Sequence, residues 1–539
     1  MTDRSHASDV IFVVSPQDGG WPRDPAKIIR NGPNDFVVDP DGHTRYVMVD
    51  VVNSSSAIQE VALRGFVTHF GRLRDGSISN EQYLYVKPPG GPWRRVYRQG
   101  TEMIYPYSPL VMSVPPGRTR VCTVVNFTYQ EYVDYVESLN DPRLSREVIL
   151  TSGDGIYKVY RIRITNPGGR DKLRIAICKT DHAYEQSGFY MAQGVIDWLL
   201  SGDPAANLDH IEWTIYPCLD PQAVHDGQDY KEYEMFPLDD GRTQWEALWD
   251  PVIGELPSQH YHVLTDVHMW EIRDYESYKY NDPLAPSGSA GNGKSEVEAV
   301  MLAFWPYWYE FGIDAYDHEN KWQQPNALPE HFGGALVTHL EIPYYGKDDI
   351  DPRERLREQG RMWARSHSQA FLRLQRAHGY WTASSPGGAV DTEGALFLPI
   401  PETILLEALT PLAGTVQNCA NGRGGRMRLY RVDYDHGIGM EAGDSVIYAI
   451  PRGANTFRAM VGVDDAESSD IRAIQFTALV DGIERWRSRS LTRGEREMAF
   501  FNVAGGSRLI LRIEGKRGVL GNWGGAKFTR DDPEWPGYE

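Results

Sequence analysis

The sequence predicts a multidomain chain: an N-terminal antiparallel β-sandwich, a central α/β domain with a mixed sheet, and a second, C-terminal β-sandwich. Three observations carry this. The chain has 539 residues, too many for one hydrophobic core. Its composition, 41% hydrophobic and 24% charged, is that of an ordinary globular protein. Its texture changes twice, from short runs between Pro/Gly turns, to strands alternating with helical periods, and back.

The first region spans 1–140. TRYVMVDVV (44–52), VALRGFVTHF (61–70) and RVCTVVNFTY (120–129) read as strands, with turns such as KPPGGPW and VPPGR between them. That is the pattern of an antiparallel sandwich. The second region spans 141–385. DKLRIAICKTD reads as a buried strand and SGFYMAQGVIDWLL as a helix, since Phe189, Ala192, Val195, Ile196, Leu199 and Leu200 recur at helical spacing. IEWTIYP, YHVLTDVH and GGALVTHLEIP read as further strands, and RERLREQGRMWARSHSQAFLRLQRAHG as a long amphipathic helix. Strands alternating with helices imply a parallel or mixed sheet covered on both faces. The third region, 403–530, returns to β texture in DSVIYAIP, TFRAMVGVDD, IQFTALVDG, MAFFNVAGG and RLILRIEG. Segments 286–295 and 387–395 read as loops.

A formal net charge of −19 argues against nucleic acid and against an anionic membrane surface as partners. The strongest apolar stretch, 299–311, is too short for a membrane span and contains Pro306 and Glu310. The N-terminal apolar run is five residues, shorter than a secretory signal core. The expectation is a cytoplasmic protein, the alternative a secreted one whose leader has been removed. Cys122, Cys178, Cys218 and Cys419 are widely spread and form no CxxC pair, so they read as free, mostly buried thiols and suggest no thiolate metal site.

The chemistry concentrates in the second region. His182 and Glu185, in DHAYE, directly follow a strand. His and Glu are competent zinc ligands, and three protein ligands plus water define a catalytic zinc site. Alone HxxE is common: His268-Met-Trp-Glu271 is another. Glu185 would also suit the first turn of the next helix on dipole grounds. Two further strands shift the balance. One ends at Asp266-Val267-His268, where His268 could supply a third ligand and Asp266 orient it. The other carries Glu341 near its end, where a carboxylate would serve as general base.

The order HxxE, P-x-x-(N/D)-P, D-x-H, E-x-P, here DHAYE, PCLDP, DVH and EIP, resembles the zinc carboxypeptidase (funnelin) family. GPWRRV, IYPYSP and NFTYQEYVDYVESL bring the resemblance closest to the cytosolic carboxypeptidase subfamily, which places a β-sandwich before the catalytic domain; it covers roughly 36–375. The resemblance implies Zn²⁺ held by His182, Glu185 and His268, with Glu341 as general base and acid. Lys231 stands about where the family has a carbonyl-polarising arginine, and Arg242 and Tyr230 where the substrate is bound. Gly241 replaces the asparagine expected before Arg242, and Asp220-Pro221-Gln222-Ala223 departs from Asn-Pro-Asp-Gly.

A second resemblance covers about 403–530. Phe457, Val461, Gly462, Val463 and Asp464, with turns at Asp481-Gly482 and Gly505, look like the novel putative carbohydrate-binding module (NPCBM), a galactose-binding-like β-sandwich. The family's W-A-D is here Trp523-Gly524-Gly525. The two resemblances imply a zinc metallohydrolase cleaving an amide bond in a peptide or glycopeptide, with a glycan as a further partner of the C-terminal module. The alternatives are a zinc amidase, deacylase or esterase on a glycan-bearing substrate, or a binding protein of low turnover. Lysine is a point charge and cannot grip a carboxylate in bidentate fashion, so exo-action depends on Arg242.

Overall fold

The computed structural model describes residues 10–39, 46–65, 83–97, 110–152, 155–168, 171–179, 183, 185–227, 259–270, 277–281, 336–343, 351–385, 387–399, 402–429, 432–468 and 473–530. These fall into two compact units, one ending at Phe397 and one beginning at Leu398. Among the described residues no helix is long and apolar enough to cross a membrane.

The first unit opens with nine strands: β1 (Ile11–Val14), β2 (Ile28–Gly32), β3 (Asp35–Val38), β4 (Met48–Asn53), β5 (Gln59–Arg64), β6 (Tyr83–Lys87), β7 (Arg94–Tyr97), β8 (Leu110–Val114) and β9 (Gly117–Cys122). They form two sheets, β1-β4-β9-β6-β7 and β2-β3-β5-β8. Alternation drives this arrangement: β1 and β8 bury every second residue, and Val51 and Val121 of one sheet share a core with Val61 and Leu110 of the other. The expected antiparallel pattern has one exception, since β3 and β5 pair in parallel. Asp50, fully buried on β4, is offset by Arg118 (2.8 Å) and Arg120 (3.0 Å) across the ladder on β9.

Helix α1 (Tyr129–Ser138) starts with a capping box. Thr128 Oγ1 accepts from the Glu131 N–H at 3.1 Å, and Glu131 Oε2 accepts from the Thr128 N–H at 2.9 Å. Asp18 accepts from the next two amides, those of Tyr129 and Gln130.

Seven strands follow: β10 (Leu144–Ser152), β11 (Tyr157–Ile164), β12 (Leu173–Lys179), β13 (Ile211–Tyr216), β14 (Val263–Trp270), β15 (Ser277–Asn281) and β16 (Leu336–Pro343). They form one mixed sheet in the order β10-β11-β13-β12-β14-β16-β15. Its inner strands β13, β12, β14 and β16 are parallel, and the flanking pairs antiparallel. Parallel strands need covered faces, and helices α2 (Ser187–Leu200), α3 (Pro221–Asp226) and α4 (Pro352–His378) lie along this part of the chain.

Helices α2 and α4 approach backbone to backbone. A Cβ on Gly194 would lie 1.8 Å from the Arg357 carbonyl oxygen, and one on Gly360 2.0 Å from that of Met191. Glycines at these two points are what the contact requires. Residues of α2 are accordingly buried nearly all round, with Asp197 exposed.

The second unit is built from antiparallel strands. One sheet contains Thr456–Val463, Arg496–Asn502, Leu520–Arg530 and Gly437–Glu441, the other Ser445–Ala449, Arg508–Glu514, Gln475–Val480 and Ile483–Arg487. Trp523 is fully buried at its centre, with ring centroids of Phe476, Trp486 and Phe457 at 5.4, 6.1 and 6.3 Å. Asp481-Gly482 supplies the two positive φ angles, 50° and 86°, of a tight hairpin turn.

Candidate functional site

The candidate centre sits at the carboxyl ends of three adjacent parallel strands, where an open α/β sheet places ligands. Strand β12 stops at Lys179, which lies opposite Val267 of β14. On the other side of β14, His268 lies opposite Glu341 of β16, and Asp266 opposite His339. The backbone therefore sets His268 and Glu341 side by side on neighbouring strands, one register position beyond the end of β12. Strand β14 continues two residues past His268 to Trp270, so His268 stands within the strand's last turn of pleat and not at its terminus. His182 itself lies outside the described residues, as do Tyr230, Lys231 and Arg242.

Glu185 is described, and it is buried, 3% exposed. Helix α2 takes Gln186 as its N-cap position, without a side-chain cap bond. Glu185 therefore immediately precedes the helix, one position before its N-cap. Two contacts seat this corner on the segment that leads into α1. Gln186 Oε1 accepts from the Phe127 N–H at 3.2 Å, and Tyr190 Oη donates to the Asn126 carbonyl at 2.9 Å. Burial pushes the phenols of Tyr190 and of nearby Tyr46 upward, so both remain neutral donors. Tyr46 Oη donates to the Gly19 carbonyl at 2.7 Å. Sequence reasoning passed over Gln186, Asn126 and Tyr190. Their polar types carry no spacing signal, and only the fold brings segments 60 residues apart together.

A buried carboxylate has to be offset by cations or donors, and a His/Glu/His set offers the N and O atoms zinc takes. Of the expected donors the structure describes the side chain of Glu185 alone, and a buried carboxylate of this kind suits such an ion.

The departure at Asp220 has a local explanation. Its Oδ1 accepts from the Ala223 N–H at 3.0 Å, capping α3, and Pro221 occupies the first helical position. The other end of α3 is tied to the start of the chain. Arg23 donates to the carbonyls of His225 (2.6 Å) and Asp226 (3.0 Å), and the Gly19 N–H donates to His225 at 2.7 Å. Gly227, at φ 67°, closes the helix where a Cβ would lie 2.7 Å from the Gly20 carbonyl. The segment carrying Tyr230, Lys231 and Arg242 leaves from this fixed point.

In the second unit the signature residues are structural. Asp464 is fully buried and accepts from Asn421 Nδ2 (3.3 Å), Asn522 Nδ2, the Ala466 N–H (2.9 Å) and the Arg428 N–H (3.2 Å). One carboxylate thus ties together two strands and two loops.

Residues 407–529 match the NPCBM/NEW2 domain model. Among curated proteins none matches the chain. The fold is similar to that of metallo-carboxypeptidase from Burkholderia cenocepacia, at TM-score 0.53 and 15% identity over 68% of this chain and 100% of that one. A metallo-carboxypeptidase from Pseudomonas aeruginosa, in complex with (2-guanidinoethylmercapto)succinic acid, is similar at TM-score 0.53 and 15% identity, over 68% of this chain and 99% of that one. The chain thus combines a carboxypeptidase-like fold with an NPCBM domain.

Proposed function

We propose that the first unit is a zinc-dependent metallohydrolase of carboxypeptidase type that cleaves an amide bond in a peptide or glycopeptide. The observation that carries this reading is the register of β14 and β16, which sets His268 opposite Glu341 next to the strand that leads to His182 and Glu185. In this reading His182, Glu185 and His268 hold the ion and Asp266 orients His268. When bound, zinc supplies the Lewis acidity that polarises a carbonyl and acidifies water. Glu341 takes the proton of the attacking water and returns it to the leaving amine. Lys231 meets the scissile carbonyl, and Arg242 and Tyr230 hold the substrate. The NPCBM domain supports a glycan-bearing substrate.

Glu341→Gln is expected to keep bound zinc and to lose turnover by about 10²–10⁴-fold. Retained turnover would remove Glu341 from the base role, and loss of zinc from metal-replete Glu185→Gln but not Glu341→Gln would separate ligand from base. A second reading, a zinc amidase or deacylase, is favoured by Gly241 and Lys231, which depart from a carboxylate clamp. A peptide and its C-terminally amidated form decide between them. Equal rates exclude the clamp, and a strong preference for the free carboxylate assigns it to Arg242.

A further inference from the structure

The second unit brings together three side chains of different chemistry. Glu407, Cys419 and His436 place one ligand atom each within 4.8 Å of one another. Glu407 sits in a single 3₁₀ turn, Leu406–Ala408, whose Leu406 is fully buried in the core. Cys419 follows the short strand Gln417–Asn418, and His436 precedes the strand Gly437–Glu441. Those two strands pair, with Asn418 opposite Ile438.

Each of the three is held by backbone. The Cys419 N–H donates to the Gly437 carbonyl at 2.9 Å, and the Gly525 N–H donates to the His436 carbonyl at 2.8 Å. Asn418 Nδ2 donates to the Glu407 carbonyl at 3.2 Å. Cys419 has φ 53°, a left-handed conformation unusual for a residue with a Cβ. Gly437, at φ 122°, lies where a Cβ would be 2.2 Å from the Trp523 carbonyl oxygen.

The side chains converge on the Glu407 carboxylate. His436 Nδ1 lies 2.7 Å from Oε1, the Gly437 N–H donates to Oε2 at 3.2 Å, and the Cys419 thiol lies within 4.8 Å. Glu407 is nearly covered, with 9% of its side chain exposed, whereas His436 is 51% exposed and Cys419 faces solvent. The cluster is open on one side. A backbone amide on the far carboxylate oxygen is the support a metal-ligating carboxylate receives from its surroundings.

We propose that Glu407, Cys419 and His436 form a binding site for a thiophilic divalent cation of the zinc class, with solvent in the fourth position. Thiolate and imidazole select such ions over calcium or magnesium, which take oxygen ligands. Bonds of about 2.0–2.3 Å in tetrahedral geometry space the donors roughly 3.3–3.6 Å apart, so binding opens the His436–Glu407 contact by under ~1 Å and releases the Cys419 proton to solvent. The ion would fasten the 3₁₀ turn to the paired strands. This site is separate in sequence and chemistry from the proposed hydrolytic centre, whose donors are imidazole and carboxylate.

Cobalt(II) titration of the full chain, stripped of metal and kept reduced, tests the proposal. The expected result is a thiolate-to-cobalt charge-transfer band in the near ultraviolet, abolished in Cys419→Ser and weakened at least tenfold in affinity in His436→Gln. The band should persist unchanged in His268→Ala, whatever that variant does to the hydrolytic centre. Zinc content should fall by one equivalent in Cys419→Ser. Both exposed positions are substituted without touching the core, and far-ultraviolet circular dichroism confirms the fold. Absence of the band at saturating cobalt with the thiol titrated as free, or its survival in Cys419→Ser, overturns the proposal.

Discussion

At the scale of single residues, two carboxylates show how burial sets a role. Asp464 is buried among four donors in the second unit. Asp464→Ala removes the acceptor and strands those donors, and is expected to cost about 2–4 kcal/mol by urea denaturation. A cost below ~1 kcal/mol would mean the loops reach water when the acceptor is gone. Glu185 is likewise buried, and lies just before the helix that follows. The F-x-A-x-V-G-V-D signature was legible from residue order, but the work of its aspartate was not, because hydrogen-bond partners 36–58 residues away leave no local trace. Glu407, Cys419 and His436 were illegible for the same reason. Their spacing matches no compact ligand motif, and strand pairing alone brings them together.

At the scale of elements, helix α2 occupies the segment its apolar periodicity predicts, and the four inner strands of the central sheet were legible as apolar runs. The parallel pairing of β3 with β5 was not, because a half-buried strand alternates in the same way whichever direction its partner runs. The α2–α4 contact yields a prediction. Alanine favours a helix over glycine by about 1 kcal/mol, but in Gly360→Ala the new methyl meets backbone, which cannot rotate away. The expected net cost is about 1–3 kcal/mol, read as a lowered melting temperature of the first unit. A neutral or stabilising outcome would show that the helices can separate freely.

A pH dependence belongs to the same scale. His262 Nδ1 accepts from the Arg174 N–H at 2.9 Å, and its Nε2 lies 3.1 Å from the Gly388 carbonyl, so the neutral ring carries its proton on Nε2. Burial, opposed by the Gly388 carbonyl and aided by the Arg174 charge, pushes its pKa down to about 4. Burial takes His367, inside α4, down to about 3. Below the ordinary imidazole range the unfolded chain binds protons that the folded one refuses, so stability falls as pH drops from about 6.5 toward 4. Each histidine should contribute a loss of about 2 kcal/mol between pH 7 and pH 5. In chelator, His262→Gln should flatten this slope. An unchanged slope would place the proton uptake elsewhere.

At the scale of the whole molecule, the described residues contain separate cores in the two units. Calorimetry of the intact chain should therefore resolve two transitions, with Asp464→Ala lowering one and Gly360→Ala the other. A single transition shifted by both variants would show that the units unfold together. Texture divides the sequence into three regions, whereas the contacts group the described residues into two compact units. Texture did not show that α1, on the near side of residue 140, packs against the central domain: Tyr132 Oη accepts from the Tyr160 N–H at 3.1 Å, and its ring meets Phe189 of α2 edge-on.

The ties from Arg23 to the end of α3, and from Phe127 to Gln186, bear on how this chain can be cut and recombined. A gene trimmed to start at the first strand of the central sheet would discard the partner of Gln186 and the arginine that bonds the last carbonyls of α3. Both elements flanking the proposed reaction centre would then be left loose. A donor sandwich grafted in its place would have to reproduce an arginine and a backbone amide at those two points. The inheritable part is thus the sandwich and sheet together, and domain shuffling within the first unit is constrained to breakpoints that keep them joined.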